Sequence, residues 1–186
     1  MLEWLKEADY LGLWVAFLLL TLLALWVGDR AGPRLENKGK APSRPMIAFE
    51  MAGDADKAQE VLNKSEDADP NARAKFKTAL GWDFLFIFIY PLCGAVGCLL
   101  VIKYLLAHEL PGVPPGFVLL ALLPAAALLD AVENYSLLKV LRGPIENPWP
   151  QVARWCAIPK FAIVGLVLLY ELYGVATWAV TKVKGG

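Results

Sequence analysis

The sequence predicts an all-α fold, a polytopic membrane protein built as a bundle of four transmembrane helices. The chain of 186 residues is 58% hydrophobic and has a mean hydropathy of +0.48, more than a soluble domain of this size carries. Its apolar residues also fall into four blocks, each long enough to cross a hydrocarbon layer of about 30 Å, which takes about 20 residues. We therefore interpret residues 1–186 as a single membrane domain.

The four blocks predict four membrane spans, at about residues 10–28, 82–107, 114–141 and 153–181. The stretch before the first span is acidic and is not followed by a small-residue cleavage site, so we expect a retained span rather than a signal peptide. The third and fourth spans follow the turn sequences Pro111-Gly-Val-Pro-Pro-Gly116 and Asn147-Pro-Trp-Pro150. Proline and glycine clusters of this kind mark the ends of helices.

The loop between the first two spans, residues 29–81, is predicted to contain two short helices, at about 55–63 and 70–81. Asp54 is a candidate N-cap for the first helix, whose narrow apolar stripe would lie on the membrane surface or on the bundle. The sequence Asp69-Pro70 resembles a helix start, with an N-cap acid followed by proline at the first helical position. We expect the second helix to continue into the second span.

Charged and aromatic residues predict the orientation. The 29–80 loop holds ten of the 18 Lys and Arg residues, and the positive-inside rule then places this loop and the 142–152 turn in the cytoplasm, with both termini outside the cell membrane. Tryptophan favours membrane interfaces. The tryptophans at the loop-side ends of the spans are Trp26, Trp82, Trp149 and Trp155. Those towards the opposite face are Trp4, Trp14 and Trp178.

Polar side chains inside the spans concentrate near the loop-side face. They are Asp83 and Tyr90 in the second span, Asp130, Glu133 and Asn134 in the third, and Lys160 in the fourth. A charged residue within a span costs about 2.5–3.5 kcal/mol on insertion scales, so such residues usually face the bundle and have partners. The third-span residues share one helical face through their i, i+3 and i+4 spacing. We expect Lys160 to pair with Glu133 or to bridge both acids.

Three interpretations of this group remain open: a buried clasp that fixes helix register, a site for a lipid headgroup, ligand or proton, and a catalytic site. Carboxylates alone can bind a hard cation, but a zinc site or a di-iron pattern needs histidines or paired cysteines. His108 is the only histidine, and the three cysteines form no Cys-x-x-Cys pair. We therefore predict no metal and no cofactor, and the net charge of zero predicts no nucleic-acid partner.

Two weaker features lie towards the other end of the bundle. Gly94 and Gly97 form a small-residue face that predicts close helix packing. Glu171, between Tyr170 and Tyr173, is expected to be hydrogen-bonded, with the lesser alternative that it lines a pathway.

Several segments resemble a family of small bacterial four-span integral membrane proteins of unassigned function. They are Pro45-Met-Ile-Ala-Phe-Glu-Met-Ala-Gly53, Trp82-Asp-Phe-Leu-Phe-Ile87 with Tyr90, Leu129-Asp-Ala-Val-Glu-Asn134, and Trp155-Cys156 with Lys160-Phe161. The resemblance covers most of the chain after residue 45. It implies a four-span fold and a membrane location but no activity, and it adds Phe49 and Glu50, so we expect Glu50 to fold back over the polar residues.

The function expected from these features is binding. The chain would be a binding or accessory protein for a lipid or small amphiphile, or for a larger membrane complex, with membrane lipids as its general partners. The alternatives are a small transporter or proton-coupled carrier, and a membrane enzyme that acts on a lipid-soluble substrate.

Overall fold

The computed structural model describes residues 10–33 and 45–184, and within these ranges it contains six helices and no strand. In chain order the helices are α1 (Tyr10–Ala31), α2 (Pro45–Glu50), α3 (Ala55–Ala68), α4 (Ala72–Ala107), α5 (Val113–Arg142) and α6 (Trp149–Lys184). Helices α1, α4, α5 and α6 are long and apolar enough to cross a membrane. The predicted all-α bundle with four spans is confirmed, and the chain is a multi-pass membrane protein.

Helix α4 is the centre of the bundle, because it packs against α1, α5 and α6, while α5 and α6 also pack against each other. Three helices pack closely together at Gly94 of α4. A Cβ atom at this position would lie 3.2 Å from both Leu123 of α5 and Val167 of α6. The small residue therefore lets the three helices pack tightly at this level, as the sequence predicted.

Helices α2 and α3 cover the loop-side end of the bundle, and we call them the loop cap. Phe49 of α2 packs on Phe76 of α4 with 4.9 Å between ring centroids. Ala58 and Leu62 of α3 are buried in the same apolar cluster. The stripe of α3 thus lies on the bundle, and hydrophobic burial of these side chains is what holds the cap in place.

The α3–α4 junction differs from the prediction. Helix α3 continues to Ala68, beyond the expected residue 63, and α4 begins at Ala72 rather than Pro70. Asp69 ends α3, where its N–H donates to Ser65 O at 2.9 Å, and its carboxylate accepts from the Asn71 N–H. The Asp69-Pro70 pair therefore forms the turn between two helices. Asp54, by contrast, is the predicted N-cap and accepts from the Lys57 N–H at 2.8 Å.

A glycine connects α2 to α3 at a close contact with α6. Gly53 has a φ of +74°, which side-chain-bearing residues rarely adopt. A Cβ atom there would lie 2.6 Å from Cδ of Arg154. The connection therefore requires glycine both for its backbone conformation and for the space that Arg154 occupies.

Most of the predicted interfacial tryptophans point away from the protein. Trp26, Trp82, Trp155 and Trp178 have exposed side chains. Trp14 differs, since it is half-buried between helices. Trp4 and the acidic stretch before the first span lie outside the described residues.

Candidate functional site

The central contact of the site is a lysine held between two acids. Lys160 Nζ of α6 donates to Asp130 Oδ1 at 2.9 Å, and it lies 2.6 Å from Glu133 Oε2. The second contact lies outside hydrogen-bond geometry, so it is an ion pair only. The predicted bridge is present, and all three side chains are buried, with Glu133 at 0% exposure. Spacing of three residues on α5 is what aims both acids at the same lysine.

A hydrogen bond extends this group to α4. Asn134 Nδ2 donates to Asp83 Oδ2 at 2.5 Å. Asn134 is buried, whereas Asp83 is half-buried. Asp83 is therefore the member of the group that reaches an accessible surface, and Asn134 fixes its position.

Four buried polar atoms of this group have no hydrogen-bond partner in the described part of the chain: Tyr90 Oη, Glu133 Oε1, Glu133 Oε2 and Asn134 Oδ1. The Tyr90 hydroxyl lies near the Asp130 carboxyl without reaching hydrogen-bond geometry. Three of the four atoms are carboxyl or amide oxygens and so are acceptors, and acceptors buried without hydrogen-bond donors are costly. The group is thus rich in acceptors and short of donors.

Glu50 of the loop cap faces the same group. Its carboxyl interacts electrostatically with Glu133, Lys160, Asp83 and Asp130. Burial in the docked cap, and secondarily the negative charge of Glu133, raise the pKa of Glu50 to about 8. The expected placement of Glu50 over the polar residues is therefore observed, and the seven residues together form what we call the polar cluster. Its four carboxyls surround a single lysine.

A cavity of about 320 Å³ opens beside Asp83, between α1, α2 and α4. We call it the Asp83 pocket. Trp82 and Phe86 of α4 and Ile47 of the loop cap form apolar walls, and Asp29 of α1 is the second charged residue among the described lining. The volume lies near the lower end of the roughly 300–1,000 Å³ typical of ligand sites. The pocket connects an apolar surface to the polar cluster through one side chain, Asp83.

An apolar layer separates the polar cluster from the far end of the bundle. Gly94 packs against Leu123 and Val167 at this level, and Ala126 of α5 is fully buried nearby. Beyond the layer lies Glu171 of α6, whose Oε1 is buried without a hydrogen-bond partner in the described chain. The expectation that Glu171 is hydrogen-bonded is therefore wrong for this oxygen.

Sequence reasoning missed one contact at that end. Trp14 of α1 lies with Glu171 against Gly97, because a Cβ atom at Gly97 would collide with Glu171 Oε1 and would lie 2.9 Å from Trp14 Nε1. No periodicity connects residues 14 and 171, so their shared position at Gly97 depends on how α1 docks on α4. The only sequence signal is the glycine at position 97, whose lack of a Cβ atom leaves room for both side chains.

The described residues contain no group of three or more His, Cys, Asp or Glu side chains with metal-binding geometry. Lys160 lies between Asp130 and Glu133, where a cation would otherwise sit. The carboxylates of the cluster are thus arranged around an ammonium group.

Comparisons with protein-family models, curated protein sequences and solved structures give no match. The chemistry available at the site is hydrogen-bond acceptance at Asp83, next to an apolar cavity and above a buried charged network.

Proposed function

We propose that this protein binds an amphiphile, either a membrane lipid or a smaller amphiphilic molecule, in the Asp83 pocket. The observation that supports the proposal is that Asp83 belongs both to the pocket and to the polar cluster. This side chain lines the cavity and accepts a hydrogen bond from Asn134 of the buried cluster. A ligand in the pocket would contact a carboxylate of α4 whose position is fixed by a hydrogen bond from α5.

The lining indicates which polar head the pocket would accept. Asp83 supplies the carboxylate that this proposal uses, and the described lining contains no Lys or Arg. An anionic head such as a phosphate alone would be repelled, whereas a head that donates hydrogen bonds, above all a primary ammonium, would be attracted. The tail would lie against the apolar side chains of Trp82, Phe86 and Leu25.

The remainder of the polar cluster acts as support. Lys160 neutralises part of the charge of Asp130 and Glu133, and Asn134 on the same helical face orients Asp83. Residues that hold a binding group in place raise the affinity for the ligand, because the binding group then loses less conformational entropy when the ligand binds. In this proposal the buried cluster both fixes the packing of the helices and supports the ligand-binding side chain.

The other functions have less support. A buried lysine that contacts two carboxylates has no free lone pair to act as a nucleophile or base. Transport needs a polar route across the bundle, and the described side chains between the polar cluster and Glu171 include the tightly packed Gly94, Leu123 and Val167.

We further propose that the loop cap lies in the cytoplasm of a bacterial cell, since the loop is rich in Lys and Arg. The variant Glu60→Cys places a thiol on the exposed face of α3. A membrane-impermeant maleimide should label it only after the cells are permeabilised. Labelling of intact cells at the same rate would reverse the proposed orientation.

The headgroup proposal is tested by thermal unfolding in nanodiscs of phosphatidylglycerol doped with one second lipid. Phosphatidylethanolamine should raise Tm, and stepwise N-methylation to phosphatidylcholine should progressively remove the effect, because each methyl group replaces a donor. Asp83→Asn should remove most of the rise. The control Glu60→Gln, on an exposed side chain that pairs with Lys64, should keep it. Equal stabilisation by phosphatidylcholine, or a full rise in Asp83→Asn, would refute the proposal.

A further inference from the structure

A second cavity lies at the opposite end of the bundle from the Asp83 pocket. It has a volume of about 360 Å³ and is formed by α1, α4 and α6. Gly97, in its lining, follows Asp83 by 14 residues on α4, a separation of about 21 Å at about 1.5 Å per residue. We call this cavity the Glu171 groove. It shares no lining residue with the Asp83 pocket.

Glu171 is the only acidic or basic side chain among the described residues that line the groove. Its Oε1 is buried and has no hydrogen-bond partner in the described chain. An ionisable group at membrane depth without a partner is costly and is a candidate functional group for that reason. The glycine at position 97 makes room for it, since a Cβ atom there would collide with this oxygen.

Aromatic side chains form much of the remaining wall. Trp14 of α1, Tyr104 of α4 and Trp178 of α6 line the groove. The hydroxyl of Tyr104 contacts that of Thr181, which fixes the ring. The faces of such rings carry negative electrostatic potential and attract organic cations, and quaternary ammonium groups are recognised in this way.

From this combination we infer that the Glu171 groove binds a lipophilic organic cation. The ionised carboxyl of Glu171 provides the opposite charge, and the rings of Trp14, Tyr104 and Trp178 contact the apolar substituents of the cation. The bound cation compensates the charge that ionised Glu171 would otherwise carry alone in the apolar groove. An anion would be repelled by Glu171, and a neutral hydrocarbon would leave its buried oxygen without a partner. This inference is independent of the amphiphile proposed for the Asp83 pocket.

The test uses two probes of nearly equal shape and opposite charge, tetraphenylphosphonium and tetraphenylborate. Equilibrium dialysis against the full-length protein in nanodiscs of zwitterionic lipid, with empty nanodiscs subtracted, should show saturable binding of the phosphonium only. Glu171→Gln should weaken phosphonium binding at least tenfold. Glu109→Gln, which removes an exposed acid from the α4–α5 turn, should leave it unchanged. Equal binding of both probes, or unchanged binding in Glu171→Gln, overturns the inference.

A second pair of variants keeps the test decisive if Glu171→Gln does not fold. Trp178 is 52% exposed, so Trp178→Ala should fold, and it should weaken phosphonium binding several-fold because one aromatic wall is lost. The matched control is Trp155→Ala, a change at a 74% exposed tryptophan near the loop-side end, which should have no effect. Equal binding by the two tryptophan variants contradicts the inference.

Discussion

Replacing Lys160 by methionine should be among the most destabilising single changes in the protein. Methionine keeps the apolar stem of lysine but removes the ammonium group that contacts Asp130 at 2.9 Å and Glu133 at 2.6 Å. Both acids are essentially inaccessible to solvent, so they would be left as buried charges without a partner. Removing one member of a buried ion pair costs about 3–5 kcal/mol, and we expect Lys160→Met to fall in this range.

The assay is reversible unfolding in mixed micelles with increasing sodium dodecyl sulfate, monitored by tryptophan fluorescence. Adding Asp130→Asn and Glu133→Gln to Lys160→Met should recover most of the lost free energy of unfolding, because the charges that needed the lysine are then absent. Lys77→Met, on an exposed side chain of α4, is the control and should cost less than about 0.5 kcal/mol. A loss below about 1 kcal/mol in Lys160→Met, or no recovery in the triple variant, would refute the reasoning.

Three further predictions concern the loop cap. The pKa of Glu50 is raised to about 8 from 4.5, so the docked cap holds a proton that the released cap loses. The free energy of docking should be most favourable below about pH 4.5 and should weaken by up to about 1.4 kcal/mol per pH unit towards pH 8. Hydrogen exchange at the Met51 amide measures this change in docking. The variant Glu50→Gln should remove the pH dependence. Phe49→Ala, at a side chain 1% exposed, should cost about 3–5 kcal/mol and release the cap, seen as faster exchange in α3 with unchanged exchange in α5. Gly53→Ala should accelerate exchange in α2 and α3 because of its φ of +74° and the contact with Arg154, whereas Gly81→Ala, in open space, should not.

Hydropathy and helical spacing were sufficient for the part of the structure that depends on single helices. The four spans follow from block length, and the Lys160 bridge follows from the spacing of Asp130 and Glu133 combined with antiparallel neighbours. In both cases the determining forces act within one helix or between helices adjacent in sequence.

Features that depend on docking between distant segments could not be derived in this way. Asp69 carries the sequence of an N-cap, yet the packing of α3 makes it the end of one helix and the turn to the next. Likewise, the position of Trp14 at Gly97, on the same side as Glu171, depends on the rotation of α1 about its own axis. Helix α1 is almost uniformly apolar, so its sequence indicates no preferred face.

The most direct test of the proposed function is photocrosslinking with a phosphatidylethanolamine that carries a diazirine next to its headgroup. In nanodiscs, crosslinked peptides should map to the walls of the Asp83 pocket, around Ile47 of the loop cap and Trp82 to Phe86 of α4. Asp83→Asn should reduce this labelling. Labelling spread evenly over the exposed apolar surface near Leu85 and Trp155, and unchanged in Asp83→Asn, would contradict amphiphile binding at this site.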